Sequence, residues 1–263
     1  MGDCVDIGLA GKVVVVTGGV RGVGAGICEV LTSLGAVPIA CARRTADDAD
    51  SAVEFVSCDV RDPDAVDAMI DRITERHGRL DGVVNNAGGS PFAPAADASP
   101  NFHRKIVELN MLAPLVVAQA AYSVMRYQDE GGSIVNVSSV SGHRPSPGTA
   151  GYGAAKAGLD SLTGSLAVEW APRVRINSVI AGPVRTEQSA LHYGDEEGIA
   201  AVGATIPMGR MATGADVGRA VAFLLSPMAD YITGSTLTVH GGGERPAFLD
   251  AATTDNRWEQ TRP

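Results

Sequence analysis

Lysine is scarce in this chain. Only Lys12, Lys105 and Lys156 occur among 21 basic residues, and the formal net charge is −9 with an isoelectric point near 5.0. A chain with that balance repels a phosphate backbone overall, so no nucleic-acid partner is expected. No basic run or basic amphipathic stretch marks an anionic membrane surface. No apolar run reaches spanning length; Met111 to Ala121 comes closest, and Pro114 and Gln119 interrupt it. Cysteine is sparse too. Cys4, Cys28, Cys41 and Cys58 form no C-x-x-C pair and no metal-like spacing with the five histidines, so no metal site is expected. The opening MGDCVDIG is acidic and has no apolar centre, unlike a signal peptide, and Asp6 stands where a myristoylation signal wants Ser or Thr. The expectation is a reduced, cytoplasmic protein.

What is present is the pattern of an α/β chain. At 263 residues, 45% of them hydrophobic and 19% charged, the sequence can bury one sizeable core, and no linker or repeat divides it. Lys12 to Thr17 is a continuous β-branched run, as a strand covered on both faces requires. It enters the glycine-rich TGGVRGVG, and a helical pattern follows from Ala25 to Leu34. Strand, glycine turn and helix together make an anion site, where backbone N–H groups and the helix dipole meet a pyrophosphate. Further strands are expected at Val37 to Ala42, Val53 to Cys58, Gly82 to Asn85, Val174 to Ile180 and Thr236 to His240. The crossover from Arg43 to Ala52 is too short and polar for a full helix. Asp62 and Gly78 are expected to cap a helix from Pro63 to His77. A long helix from Asn101 to Tyr127 is expected to kink at Pro114.

The chemistry concentrates between Ser133 and Leu166. An apolar strand there ends in the hydroxyls Ser138, Ser139 and Ser141, a Gly/Pro/Ser loop follows, and a helix then carries Tyr152 and Lys156. Residues four apart share a helix face. An ammonium beside a phenol favours the phenolate, which predicts a Tyr152 pKa lowered by Lys156 and suited to acid/base work. Taken alone, such a pair is more often an ordinary half-exposed helix face. It gains meaning with Ser139 thirteen residues upstream, the glycine turn and the segment NNAG at Asn85 to Gly88.

With those motifs together, the chain resembles the short-chain dehydrogenase/reductases from about Leu9 to Gly243. The resemblance implies a three-layer, doubly wound Rossmann fold with a mostly or fully parallel seven-stranded sheet. It implies an NAD(P)-dependent enzyme that interconverts a secondary alcohol and a ketone. Tyr152 would be the general acid/base, Lys156 would tune it and bind the nicotinamide ribose, and Ser139 would bond the substrate oxygen. The backbone of Asn110 would hold a water linked to Lys156. Gly18, Arg21, Gly22, Val23 and Gly24 would form the pyrophosphate turn, with Asp59 and Val60 at the adenine. Asn86, Ala87 and Gly88 would border the cofactor, and Pro183 and Thr186 the carboxamide. The family's mobile substrate lid corresponds to residues 187–213, which include Leu191, His192, Tyr193, Ile206, Met208 and Met211; residues 244–263 form a tail. His240 departs from the acidic residue common before the following glycines.

Cofactor choice turns on one position. Where NAD-using folds place an acid at the end of the second strand, this chain has Ala42, followed by Arg43 and Arg44, with Arg21 inside the turn. NADP(H) is therefore favoured, with Arg43 as the main phosphate ligand, and NAD(H) remains possible. The substrate is expected to be a small apolar hydroxy or keto compound, alicyclic or steroid-like, or else a 3-hydroxy/3-oxoacyl thioester. The absence of a basic cluster in the lid tilts the choice away from carrier-bound substrates. Family precedent implies a homotetramer. The rival reading is a catalytically inactive NAD(P)-binding scaffold or sensor, which would typically have lost Tyr152 or Lys156.

Overall fold

The computed structural model describes residues 6–44, 53–251 and 253. Cys4, Trp258 and the crossover from residue 45 to 52 lie outside them. Seven strands, β1 (Val13–Thr17), β2 (Val37–Ala42), β3 (Glu54–Ser57), β4 (Gly82–Asn85), β5 (Gly132–Ser139), β6 (Val174–Ala181) and β7 (Thr236–Val239), form one sheet. Their order is β3-β2-β1-β4-β5-β6-β7, and every neighbouring pair is parallel. The chain starts at the centre, winds out to β3, then returns to build the other half. This places the order reversal between β1 and β4, where such sheets bind ligands.

The β-branched run of β1 explains the two layers of helices. Val13 and Val15 point into one core, and Val14 and Val16 into the other, as the two-residue period of a strand dictates. The first core lies under α2 (Pro63–His77), α4 (Ala113–Met125) and α5 (Ala150–Trp170); the second lies under α1 (Gly22–Ser33) and α8 (Gly214–Leu225). Asp62 caps α2 by accepting from the Asp64 and Ala65 N–H groups, and Gly78 ends it at φ 72°.

The long helix expected from Asn101 to Tyr127 is three pieces. α3 (Pro100–Val107) runs into a π-turn at Glu108–Leu112, and α4 follows. The break precedes Pro114 for a chemical reason. Pro114 has no N–H to give the carbonyl of Asn110 four residues back, so the α pattern cannot continue there. Pro100–Met125 is also long and apolar enough by composition to cross a bilayer, contrary to the sequence expectation. Here Ile106, Val117, Ala118, Ala121 and Met125 are buried inside the domain. Segment 187–213 folds into α6 (Ala190–Tyr193) and α7 (Glu196–Ala204) around a small core of Ile199, Ile206 and Met211. Ile206 and Met211 thus face the lid's own interior. A short α9 (Ala247–Ala251) lies in the tail.

Candidate active site

The glycine turn fits a cofactor's phosphates because its backbone is packed too closely for side chains. A Cβ on Gly24 would stand 2.1 Å from the Gly18 carbonyl oxygen, and Gly18 and Gly22 take φ of 66° and 53°. Gly22 opens α1, so Val23 and Gly24 sit in its first turn, and Arg21 is the exposed residue just before it. Thr186 lies over the turn, with its methyl group 3.3 Å from where a Gly22 Cβ would be. Pro183 is tied down through its carbonyl, which accepts from the Ala212 N–H at 3.0 Å.

NNAG is anchored by a residue the sequence reading passed over. The Thr17 hydroxyl accepts from the N–H groups of both Asn86 and Ala87 at 3.0 Å, while the Asn86 amide donates to the carbonyls of Thr17 and Gly18. Asn86 is therefore a staple between β1 and β4. The available signal was a hydroxyl at the end of β1.

Beyond it, Asn110 is fully buried in the π-turn. Its amide oxygen accepts from Gly89 N–H at 2.8 Å, and its amide nitrogen donates to the carbonyls of Gly89 and Ile106. Gly88 passes so close that a Cβ there would lie 2.5 Å from the Asn110 amide oxygen and 3.6 Å from Lys156 Nζ. The side chain of Asn110 thus positions the loop beside the lysine.

At the centre, Ser139 ends β5, while Tyr152 and Lys156 share a face of α5. The Ser139 hydroxyl is near enough to influence the Tyr152 phenol and accepts from Ser141 N–H at 3.2 Å. Ser138, one residue earlier, points the opposite way and donates to Asp160 Oδ2 at 2.7 Å. Lys156 is buried; its Nζ donates to the Val137 carbonyl at 2.7 Å and lies 5.7 Å from the Tyr152 ring centre. Burial brings the Lys156 pKa down to about 8, opposed by the charge of Asp160.

The expected lowering of Tyr152 by Lys156 is not found. Burial pushes the Tyr152 phenol up, the Ser139 bond opposes it, and Tyr193 of the lid adds to the rise. The physical reason is desolvation, which makes both the Tyr152 phenolate and the Lys156 ammonium costly to form. A phenol raised above its ordinary value keeps its proton at neutral pH.

The adenosine edge is built differently. Arg43 and Arg44 are exposed just past β2. Asp59, expected at the adenine amine, is gripped by Arg61: Oδ1 accepts from Arg61 N–H and Nε, and Oδ2 from a terminal guanidinium nitrogen at 2.6 Å. That pairing holds the carboxyl down at about 2. Val60 beside it is buried. Arg61 was not singled out from sequence, and its two-residue spacing from Asp59 was the only available signal.

A groove of about 830 Å³ is lined by Gly22, Ala25, Phe55, Thr186 and Thr213. It runs along the glycine turn and α1; Ser139, Tyr152 and Lys156 do not line it, so its size says nothing about the reacting centre. Among the described residues, no group of three or more His, Cys, Asp or Glu side chains is placed to hold a metal ion.

Residues 18–244 match the family model described as enoyl-(acyl carrier protein) reductase. The chain is 36% identical over 245 residues to a 3alpha-hydroxysteroid dehydrogenase of Mediterraneibacter gnavus, covering 89% of this chain and 97% of that one. It is 33% identical over 246 residues to a peroxisomal 2,4-dienoyl-CoA reductase of Danio rerio, covering 89% and 82%. Among solved structures, the ligand-free aldohexose dehydrogenase of Thermoplasma acidophilum is similar with a TM-score of 0.84 and 31% identity, over 94% of this chain and 98% of that one.

Proposed function

The chain belongs to the short-chain dehydrogenase/reductase family of oxidoreductases, and from that premise we propose that it interconverts a secondary alcohol and a ketone by hydride transfer with NADP(H). One observation carries the reading. The Tyr152 phenol is under the influence of the Ser139 hydroxyl and has the buried Lys156 Nζ 5.7 Å from its ring centre, an arrangement suited to a carbonyl oxygen. A nicotinamide cofactor held by the glycine turn, Thr186 and Lys156 would supply the hydride chemistry for reduction. Tyr152 gives its proton to the oxygen, and Ser139 stabilises the charge developing there. Oxidation reverses each movement.

The glycine turn, Thr186 and Lys156 fit such a cofactor, since the turn excludes side chains where phosphates must approach a helix N-terminus. NADP(H) over NAD(H) is supported by Ala42 in place of an acid, by exposed Arg21 and Arg43, and by the neutralisation of Asp59 by Arg61. We assign the substrate to apolar hydroxy or keto compounds, alicyclic or steroid-like, because exposed Leu191 and Met208 of the lid offer apolar surface. Small-residue and apolar positions along α4 and α5 support a homotetramer.

The test is spectrophotometric. Protein, NADPH or NADH, and a panel of cyclic ketones, steroid ketones, 3-oxoacyl and 2,4-dienoyl thioesters are mixed, and cofactor oxidation is followed. Turnover of ketones with NADPH is expected. Turnover of dienoyl thioesters alone would reassign the reaction to carbon–carbon double bonds, and cofactor binding without any turnover would favour the sensor reading. A monomer mass by light scattering would refute the tetramer.

A further inference from the structure

Asp160 is a carboxylate that the proposed chemistry leaves unused. It stands one helical turn beyond Lys156 on α5, on the side facing the end of β5. Its side chain is 8% exposed. Oδ2 accepts from the Ser138 hydroxyl at 2.7 Å and bonds His143 Nε2 at 2.9 Å, whereas Oδ1 is buried with no hydrogen-bond partner. Ser138 also donates weakly to the Lys156 carbonyl at 3.4 Å.

These contacts are costly to keep by accident. Burying a carboxylate with one oxygen unsatisfied is unfavourable, and an aspartate in the interior of a helix has no intrinsic advantage there. A helix–strand staple could be made more cheaply by a Ser or Asn. The neighbours give the charge a purpose. Ser138 lies between Val137, whose carbonyl accepts from Lys156 Nζ, and Ser139, which influences the Tyr152 phenol. His143 belongs to the loop leading from Ser139 to Tyr152.

We propose that Asp160 is a positioning residue for the reaction, locking the Lys156 turn of α5 to the end of β5 and to the His143 loop. It rests on the oxidoreductase reading above. Its second action is electrostatic: the carboxylate opposes the loss of charge that burial imposes on Lys156, so more of the lysine is ammonium at neutral pH. The groups facing Lys156 are the Val137 carbonyl of β5, Tyr152 and Asp160 of α5, and the Gly88 and Asn110 segment. Those facing Asp160 are Ser138 and His143, and Tyr193 of the lid faces Tyr152. Asp160 is the one carboxylate among these groups.

The chain's three lysines make this measurable without any substrate. Protein labelled with carbon-13 at the lysine ε position is titrated by NMR, with Lys12→Arg and Lys105→Arg used for assignment. In Asp160→Asn the Lys156 midpoint is expected to move to lower pH by roughly 0.5–1 unit. That is less than the 1–3 units of a direct ion pair, because the carboxylate does not touch the ammonium. His143→Ala keeps the charge and should leave the midpoint in place. On a substrate the native enzyme turns over, Asp160→Asn should lower kcat more than KM, with the loss shrinking as pH falls. Asp160→Ala, which removes the charge and the orphan oxygen together, serves if the amide variant does not fold. An unmoved Lys156 midpoint in a folded variant overturns the proposal, even if melting temperature drops. A moved midpoint in a protein that turns over no substrate would instead sink the oxidoreductase reading and leave the electrostatic role standing.

Discussion

The nicotinamide side and the adenosine side of this site are made of different material. On the first, Asn110, Lys156 and Ser138 are buried, and each side chain is fixed by partners from another element. On the second, Arg21, Arg43 and Arg44 are exposed, and Asp59 and Arg61 hold each other in a half-exposed pair. Atoms that move protons must be placed to a fraction of an ångström, and that needs packing around them. A charge that selects between two cofactors needs only to be near a phosphate, and a solvated guanidinium suffices. Changes on the buried side should therefore be severe, and changes on the exposed side modest and selective.

The largest effect is expected for Tyr152→Phe. It removes the one proton placed between Ser139 and the substrate oxygen and leaves the ring in its packing. Turnover should fall by about 10²- to 10⁴-fold, with cofactor affinity retained. Steady-state rates and a cofactor titration on the same preparation check this; a near-native rate would remove Tyr152 from the mechanism and erase the contrast between the two sides.

Next comes a prediction with the opposite sign for stability. Lys156 is buried with a pKa near 8, below its ordinary 10.5, so the folded state sheds this proton before the unfolded state does. Charging it in the fold is a penalty below about pH 8, and the penalty fades as pH rises toward the unfolded value. Replacing it by Met should stabilise the cofactor-free protein at pH 7 by about 1–2 kcal/mol net, after the lost bond to the Val137 carbonyl, while abolishing turnover. Denaturant melts at pH 7 and pH 9.5 check the sign: native protein should gain on the Met variant between them. A Met variant less stable at pH 7 would mean that Lys156 supports the fold.

Much of this was written in local sequence, and what was not shares one cause. The sheet was legible because its strands are short apolar runs, most clearly the β-branched β1 and β6, which end at Gly18 and Gly182, and the Tyr152–Lys156 spacing is fixed by helix geometry alone. Ser139 was separable from Ser138 because adjacent strand residues face opposite ways. The π-turn was not read, although Pro114 announced a break, since where the helix adjusts depends on what Asn110 can bond across space. The direction of the Tyr152 shift was missed for a similar reason. Spacing shows that a lysine is near; only the fold shows how far burial raises the cost of charging each group. Asp160 reads as an ordinary helix acid in KAGLD until Ser138 and His143 arrive from elsewhere in the chain.

The smallest expected effect is also the most selective. Arg43 follows Ala42 at the end of β2, where no carboxylate opposes a 2′-phosphate, and its charge reaches Asp59 across the adenosine edge. Asp59 is already neutralised by Arg61, so the cations here are not consumed by local acids. A charged hydrogen bond contributes about 1.5–3 kcal/mol when formed, and solvent exposure of Arg43 places it at the lower end. Arg43→Ala should therefore weaken NADPH roughly 10-fold and leave NADH nearly unchanged, as read by fluorescence titration with each cofactor. Adding Arg21→Ala should bring the two affinities closer still. If Arg43→Ala weakened both cofactors equally, Arg43 would be shaping the adenosine wall rather than reading the phosphate. If the native protein already bound NADH as tightly as NADPH, the exposed edge would carry no selectivity, and the contrast between the two sides would reduce to burial alone.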